Sequence, residues 1–228
     1  MSLLVVGSVA YDGIETPHGK VDRILGGAAT YIALSASFFT QPRIVAVIGD
    51  DFDPADEAFL RDRSIDLKGL ERVPGKCFFW QGVYSEDMNS RSTLRTDLNV
   101  FAGFDPKVPE SYRSVPYLML GNIQPSLQAG VQRQMASLRT VGGDTMDYWI
   151  NDYRDELFAT IRDWDFLLIN DSEARAISGA SNLKVAAQRI HELGPKWVII
   201  KRGEYGALLF HKGHGHFAAP GYLLDQVF

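Results

Sequence analysis

The chain is short of cysteine, of positive charge and of long apolar runs, and each shortage removes a class of function. Cys77 is the only cysteine among 228 residues. No intrachain disulfide can form, so a reducing, cytoplasmic setting is expected. Lysine and arginine number 23 against 28 aspartates and glutamates, a net charge of −5. That balance offers no basic footprint for nucleic acid, and no nucleic-acid partner is expected. No apolar stretch approaches the roughly 20 residues that span a bilayer, so no membrane partner is expected either. The opening "MSLLVVGSVAYDG" has no basic region before its apolar run and no small-residue cleavage site after it. It reads as a first strand rather than a signal peptide. A G-x-G-x-x-G fingerprint is also missing, which argues against an NAD-linked oxidoreductase.

What is present is alternation. Short β-rich runs recur: "LLVVGSV", "RIVAVIG", "YLMLGN", "FLLIN", "WVIIKR" and "ALLFH". Between many of them lie segments with helical periodicity: "GGAATYIALSASFF", "PADEAFLRDRS", "PSLQAGVQRQMASL", "NDYRDELFATIRD" and "NLKVAAQRIHELG". Near-continuous apolar strands separated by amphipathic helices predict an α/β fold, a mostly parallel sheet with helices on both faces. Such sheets bind ligands at the carboxyl ends of their strands. Residues 13–25 and 65–101 break the rhythm. They read as polar-apolar alternations around turns, with Phe79, Trp80, Val83 and Tyr84 on one strand. We expect them to form a small inserted antiparallel sheet, a lid, on a body made of residues 1–12, 26–64 and 102–228.

Six stretches could carry chemistry. Asp12, in "GSVAYDG" closing the first strand, could grip two sugar hydroxyls or simply sit in a turn before Gly13. Gly26 and Gly27 open a long helix and could let a ligand reach its first N–H groups, or be a plain helix start. In "IGDDFDPAD", residues 48–56, the acidic spacing does not match a calcium loop, and Asp53 before Pro54 reads as a helix cap. In "LLINDSEARAISG", Asn170 ends a strand and Glu173 lies in the first turn of a helix. Glu173 either complements the helix dipole or orients metal-bound water near phosphates. In "WVIIKRGEYGALLF", Lys201 and Arg202 end a strand, a pattern explained by a hairpin but also suited to phosphate. The histidines of "HKGHGHF", residues 211–217, suggest a metal site or a chance cluster in an exposed turn.

In their order these pieces resemble the ribokinase-like, or PfkB, carbohydrate kinases. The resemblance runs from Leu3 to the last residue. It rests on Asp12, the Gly26–Gly27 pair, "GDD" at Gly49–Asp51, the inserted lid, "NDSE" at Asn170–Glu173 and "KRGEYGA" at Lys201–Ala207. It implies transfer of the ATP γ-phosphate to a hydroxyl of a sugar, sugar phosphate or nucleoside. It also implies roles. Asp12, Gly26 and Gly27 would hold the acceptor, and Tyr31 would stand near a position where members often carry an acceptor-binding Asn. Asn170 and Glu173 would organise Mg²⁺ and its waters, Glu173 contacting the metal through water. Lys201 and Gly203 would line the nucleotide. The lid, from Phe79 to Arg95, would close over the acceptor and exclude water.

The sequence also departs from the family. The mid-chain "D-x-N-x-R" pattern survives only as "DTMDYW", with Asp144 or Asp147 near the phosphates. Arg91 and Arg95 of the lid could meet a phosphorylated acceptor, or be solvated strand charges. The family's "GAGD" motif, with its anion hole and catalytic base, is not found before Phe228, and Asp225 has no glycines around it. The expectation is a kinase lacking its C-terminal part, with the base beyond Phe228 and weak activity in these 228 residues. The alternative is a non-catalytic kinase-like module that binds a ligand or partner. The lid's edge strands invite pairing with a second lid, so a lid-mediated homodimer is expected.

Overall fold

The computed structural model describes residues 2–86, 88 and 90–223. In chain order the elements begin with β1 (Ser2–Val6), β2 (Ala10–Thr16), β3 (Gly19–Gly26), α1 (Ala28–Ser37), β4 (Gln41–Ile48), α2 (Pro54–Asp62) and β5 (Asp66–Arg72). They continue with β6 (Phe78–Tyr84), β7 (Arg91–Asp97), β8 (Tyr117–Leu120), α3 (Pro125–Gln134), β9 (Thr140–Gly143), α4 (Asp147–Asp152) and α5 (Arg154–Ile161). The last are β10 (Phe166–Asn170), α6 (Asp171–Ser178), α7 (Leu183–Leu193), β11 (Trp197–Lys201), β12 (Ala207–His211) and β13 (Gly215–Ala219).

Nine strands form the body sheet in the order β13-β12-β11-β10-β9-β8-β1-β4-β5. From β5 through β11 every neighbouring pair is parallel, and β12 and β13 add an antiparallel edge. Strand alternation splits the core in two. Val5, Ile44, Ala46 and Ile48 pack with Ala29 and Ala33 of α1 and Leu60 of α2. Leu4, Val6, Val45 and Val47 belong to the other cluster, with Val131 of α3, Leu157 and Ile161 of α5, and Ile190 of α7. Each of the buried valines, leucines and isoleucines contributes about 1.5–3 kcal/mol. The chain runs from β1 to one side through β4 and β5, then to the other through β8 to β11. The order reverses between β1 and β8, where Gly7 and Gly121 let the backbones come close: a Cβ on Gly7 would lie 3.3 Å from the Gly121 Cα. Crevices for ligands open beyond the carboxyl ends of strands at such a point.

The lid is a second sheet of order β3-β2-β6-β7. Two antiparallel hairpins, β2–β3 and β6–β7, are joined by a parallel β2–β6 pair. Two boundaries differ from those read in the sequence. β1 stops at Val6 and β2 starts at Ala10, so Asp12 is a lid residue rather than the end of the first body strand. β5, assigned to the lid from its polar alternation, pairs in parallel with β4 at the edge of the body sheet. An edge strand is covered on one flank only, which is why it carries charged residues and looks like part of an exposed insertion.

Two further elements differ from the sequence reading. β9, "TVGG", went unread because paired glycines hide strand character. Both are required there: a Cβ on Gly142 would overlap Phe166, and one on Gly143 would overlap the Leu120 carbonyl. The helix expected over residues 151–163 is two helices, α4 and α5, broken at Tyr153 (φ −130°, ψ 36°). Tyr148, Trp149 and Tyr153 pack ring against ring at that break, with centroids 4.8–5.5 Å apart. Among the described residues no helix is long and apolar enough to cross a membrane.

Candidate active site

One wall of the crevice comes from the lid and α1. Asp12 lies opposite Ile24 on β3, beside a register shift, two positions from the Ala10–Gly26 pair. Its carboxylate fills the space that a side chain at residue 26 would need, since a Cβ on Gly26 would overlap it. Gly26 is therefore glycine to make room for Asp12. Gly27 has a different reason. It caps α1 with φ 95°, and a Cβ there would run into the Ser8 carbonyl. The amides at the start of α1 are less open than the glycines suggest. Ala28 N–H donates to Ser8 Oγ at 3.0 Å and Ala29 N–H to Ser8 O at 2.9 Å. Ser8, buried and absent from the sequence-based candidates, thus supplies the acceptors that the cap residue Gly27, without a side chain, cannot. A Ser two residues after the first strand carries no local mark of that task.

Burial pushes the Asp12 carboxyl up to about 6, and Arg91 of β7 tempers the rise. Tyr31, in the first turn of α1, has its phenol raised by burial and by the nearby Asp12 and Tyr84. Asp12, Tyr31, Tyr84 and Arg91 therefore share one region. Tyr84 and Arg91 are cross-strand partners on β6 and β7, and the Arg91 guanidinium lies 5.6 Å from the Trp80 ring. Arg95 behaves differently, forming an ion pair with Asp97 on its own strand.

The facing wall stands at the carboxyl ends of β9, β10 and β11. Asn170 and Glu173 make a capping box at the start of α6. Glu173 N–H donates to Asn170 Oδ1 and Asn170 N–H to Glu173 Oε2, each at 2.7 Å. The box is a helix-start device, and it leaves Glu173 Oε1 outside the pair of bonds. Asn170 is in register with Lys201 on β11. Asp144 follows β9 directly. It is half-buried as a residue, but its Oδ1 is sealed from solvent and makes no hydrogen bond among the described residues. Burial pushes Asp144 up to about 7; Lys201 opposes that rise and Glu173 adds to it. Glu173 is itself raised by burial, against the Asn170 amide and Lys201, with Asp147 adding to the rise and Arg91 opposing it. Asn170, Glu173, Lys201, Asp144 and Asp147 are thus gathered in one place. Arg91 acts on Asp12 and on Glu173 alike, so its charge is felt at both walls.

Oxygen donors of this kind suit a hard cation. No group of three or more His, Cys, Asp or Glu side chains that could hold a metal is found among the described residues. A cation here would take most of its ligands from phosphates and water, as Mg²⁺ commonly does. Gly203 lies in the turn between β11 and β12 at φ 54°. That turn packs against the chain after β13: a Cβ on Gly206 would overlap the Ala219 carbonyl, and one on Gly221 the Glu204 carbonyl. Asp225 lies outside the described residues. The aspartates of residues 50–56 all have structural partners, with Asp53 capping α2 through Ala55 N–H at 2.8 Å. His211 meets Trp197 with tilted rings 3.9 Å apart, and His216 lies 5.8 Å from Phe210.

Comparison with known proteins gives the family and the fold. The family model described as "pfkB family carbohydrate kinase" matches residues 2–223. A cytidine kinase from Thermococcus kodakarensis is 29% identical over 226 residues, covering 96% of this chain and 79% of that protein. The structure of adenosine kinase from Sinorhizobium meliloti superposes with a TM-score of 0.80 at 15% identity, covering 100% of this chain and 82% of the other. Arabidopsis thaliana ribokinase complexed with ribose and ATP gives a TM-score of 0.73 at 17% identity, covering 99% and 79%. The two-walled crevice, the inserted lid and the match over residues 2–223 lead to one assignment: the chain belongs to the pfkB family of carbohydrate kinases.

Proposed function

We propose that this protein moves the γ-phosphoryl group of ATP to a hydroxyl of a nucleoside. The feature that carries the acceptor class is Tyr31, which lines the cavity beside the lid and whose phenol is raised by burial and by the charges of Asp12 and Tyr84. A carboxylate suits the two adjacent hydroxyls of a ribose, and aromatic faces suit a flat base. The resemblance to a cytidine kinase supports the same class.

In this reading the acceptor oxygen attacks the γ-phosphorus, the bond to the β–γ bridging oxygen breaks, and ADP leaves. Catalysis of this kind is mostly positioning and charge neutralisation. Asp12, ionised above about pH 6, holds the acceptor hydroxyls over the space beside Gly26. Lys201 faces the nucleotide phosphates, and Gly203 shapes the turn that follows. Glu173 and Asn170 would hold Mg²⁺ through water, and Asp144 lies within their reach. Bound with the nucleotide, Mg²⁺ supplies charge neutralisation at the phosphates. Arg91 spans from the acceptor wall to the phosphate wall as the lid closes and water is excluded. The acceptor hydroxyl gives up its proton in the same step.

Arg91 also favours a second reading, a phosphorylated sugar as acceptor, because a guanidinium beside the acceptor carboxylate is a ready phosphate partner. One panel separates the readings. ADP release and calorimetric binding are measured with ATP and Mg²⁺ against cytidine, adenosine, inosine, ribose and sugar phosphates. Nucleoside binding with ADP release is the expected result. A preference for sugar phosphates that Arg91→Met removes and Arg95→Met keeps would establish the second reading instead. Ligand binding without any ADP release would indicate a binding module. Failure of every sugar and nucleoside to bind would overturn both kinase readings.

A further inference from the structure

The lid joins the body at four crossings, residues 7–9, 26–27, 73–77 and 98–99. Asp51, on the loop after β4, reaches both lid hairpins at once. Its Oδ2 accepts from both terminal nitrogens of Arg23 on β3, each at 3.2 Å, and its carbonyl accepts from Arg23 Nη2 at 2.8 Å. Its Oδ1 accepts from Cys77 N–H at 2.7 Å, immediately before β6. The crossing after β7 is tied to Cys77 in turn. Asn99, in the left-handed region at φ 46°, donates from Nδ2 to Cys77 O at 2.9 Å, and Val100 N–H donates to Lys76 O at 3.2 Å. A non-glycine residue at positive φ is held there by its surroundings, and here the hydrogen bond does the holding. Next to Asp51, the buried Tyr11 of β2 donates to Asp56 Oδ2 at 2.6 Å and accepts from Asp53 N–H at 2.9 Å. Arg23 lies 3.7 Å over the Tyr11 ring.

Tyr11 is followed by Asp12, so whatever fixes Tyr11 fixes the height of the acceptor-binding carboxylate. We infer that Asp51 is a positioning residue for the reaction: through Arg23 and Cys77 it clamps both lid hairpins to one body loop and so sets where Asp12 and Arg91 stand over the crevice. Arg23 and Asp51 border a cavity of about 870 Å³ together with Asp56, Leu34, Phe59 and Tyr31 of the acceptor wall, so the clamp lies directly beside the site it positions. Burial would raise the Asp51 carboxyl, yet the bonds from Cys77 and the Arg23 charge hold it below the usual carboxylate range. Two guanidinium nitrogens on one carboxylate oxygen, with a third bond to the main-chain carbonyl, fix the Arg23 side chain in a way that a single-contact surface pair does not. The part of the inference that concerns turnover rests on the kinase reading above; the part that concerns lid placement does not.

The test uses Asp51→Asn and Arg23→Met in the full chain, with Glu57→Gln as the control. Glu57 pairs with Arg61 and Arg72 on the body and touches no lid strand. Hydrogen exchange is followed by mass spectrometry over residues 10–26 and 78–84, beside the melting temperature and, where turnover is seen, the acceptor KM and the ATP hydrolysed without acceptor. In both clamp variants lid exchange should quicken about tenfold, as the loss of one charged hydrogen bond implies. The acceptor KM should rise by a similar factor, nucleotide affinity should hold, and wasteful hydrolysis should grow. The double variant should be no worse than the worse single one. Lid exchange equal to that of Glu57→Gln, or exchange that quickens equally throughout the body sheet, would overturn the inference. If no acceptor is turned over at all, the kinase reading fails while the exchange data still decide for or against the clamp.

Discussion

Replacing Asp12 by asparagine should make the protein more stable while removing acceptor binding. The burial that pushes the carboxyl from 3.8 to about 6 disfavours its ionised form. A rise of roughly two pH units corresponds to about 3 kcal/mol against ionisation. Asp12 is only half-buried, so solvent screening reduces this to about 1–2 kcal/mol. The sign follows from linkage. With the folded value above the unfolded one, the native state holds the extra proton between about pH 4 and pH 6, and stability falls as pH rises through that window. The uncharged amide of the variant has no such proton to lose. The gain from Asp12→Asn should therefore be small near pH 4, grow to pH 6 and level off above about pH 7. At pH 8 it amounts to about 2–8 °C in melting temperature for a chain of this size. Denaturation at pH 4.5, 6 and 8, beside acceptor calorimetry, measures both halves. An Asp12→Asn protein no more stable than the parent at pH 8 would refute the argument, because the carboxylate would then be compensated inside the fold rather than held ready for a ligand. Retained acceptor affinity would refute its place in the site.

Three further perturbations probe other parts of the arrangement. Glu173→Gln keeps a capping box, since Gln can accept from the Asn170 amide as Glu does, so stability should change by less than about 1 kcal/mol. The Mg²⁺ dependence of nucleotide binding should weaken, and identical metal titrations in the two proteins would reject the metal role. Gly26→Ala should cost acceptor affinity because the new Cβ displaces the Asp12 carboxylate. Gly27→Ala should cost folding stability, about 1–3 kcal/mol, because the residue sits at φ 95°; chemical denaturation and acceptor titration should therefore separate the two neighbours, and equal effects on both would contradict the account. The lid edges β3 and β7, with Val21, Ile24 and Leu94 exposed, should pair with a second lid. Light scattering is expected to give a dimer mass that Ile24→Asp reduces to that of a monomer, and a monomeric parent would count against the pairing.

How much of this was legible in the sequence depends on how local each signal was. The body strands and helices were readable because the apolar runs and amphipathic periods are complete within themselves. Asn170, Glu173 and Lys201 could be found for the same reason: each ends a strand or opens a helix in its own segment. β9 escaped because its glycines are required by Phe166 and Leu120, residues far off in the sequence. β5 was misplaced because its exposure is set by lying at a sheet edge, which local composition does not encode. The lid residues show the same limit more sharply. Arg91 and Arg95 are the same residue type four positions apart on one strand, yet the charge of one is felt at Asp12 and Glu173 and the other is paired with Asp97. Register shifts interrupt the lid sheet at Asp12/Ile14 and at Gln81/Gly82, so counting along a strand does not predict the face a side chain takes. The motif "GDD" was visible, but its meaning was not: Asp51 acquires its place from Arg23 and Cys77, each more than twenty residues away in the sequence. Within the family pattern the glycine pair carries two unrelated constraints. Gly26 makes room for a carboxylate and Gly27 bends the backbone, so what reads in the sequence as one motif is in the fold a binding constraint beside a folding constraint.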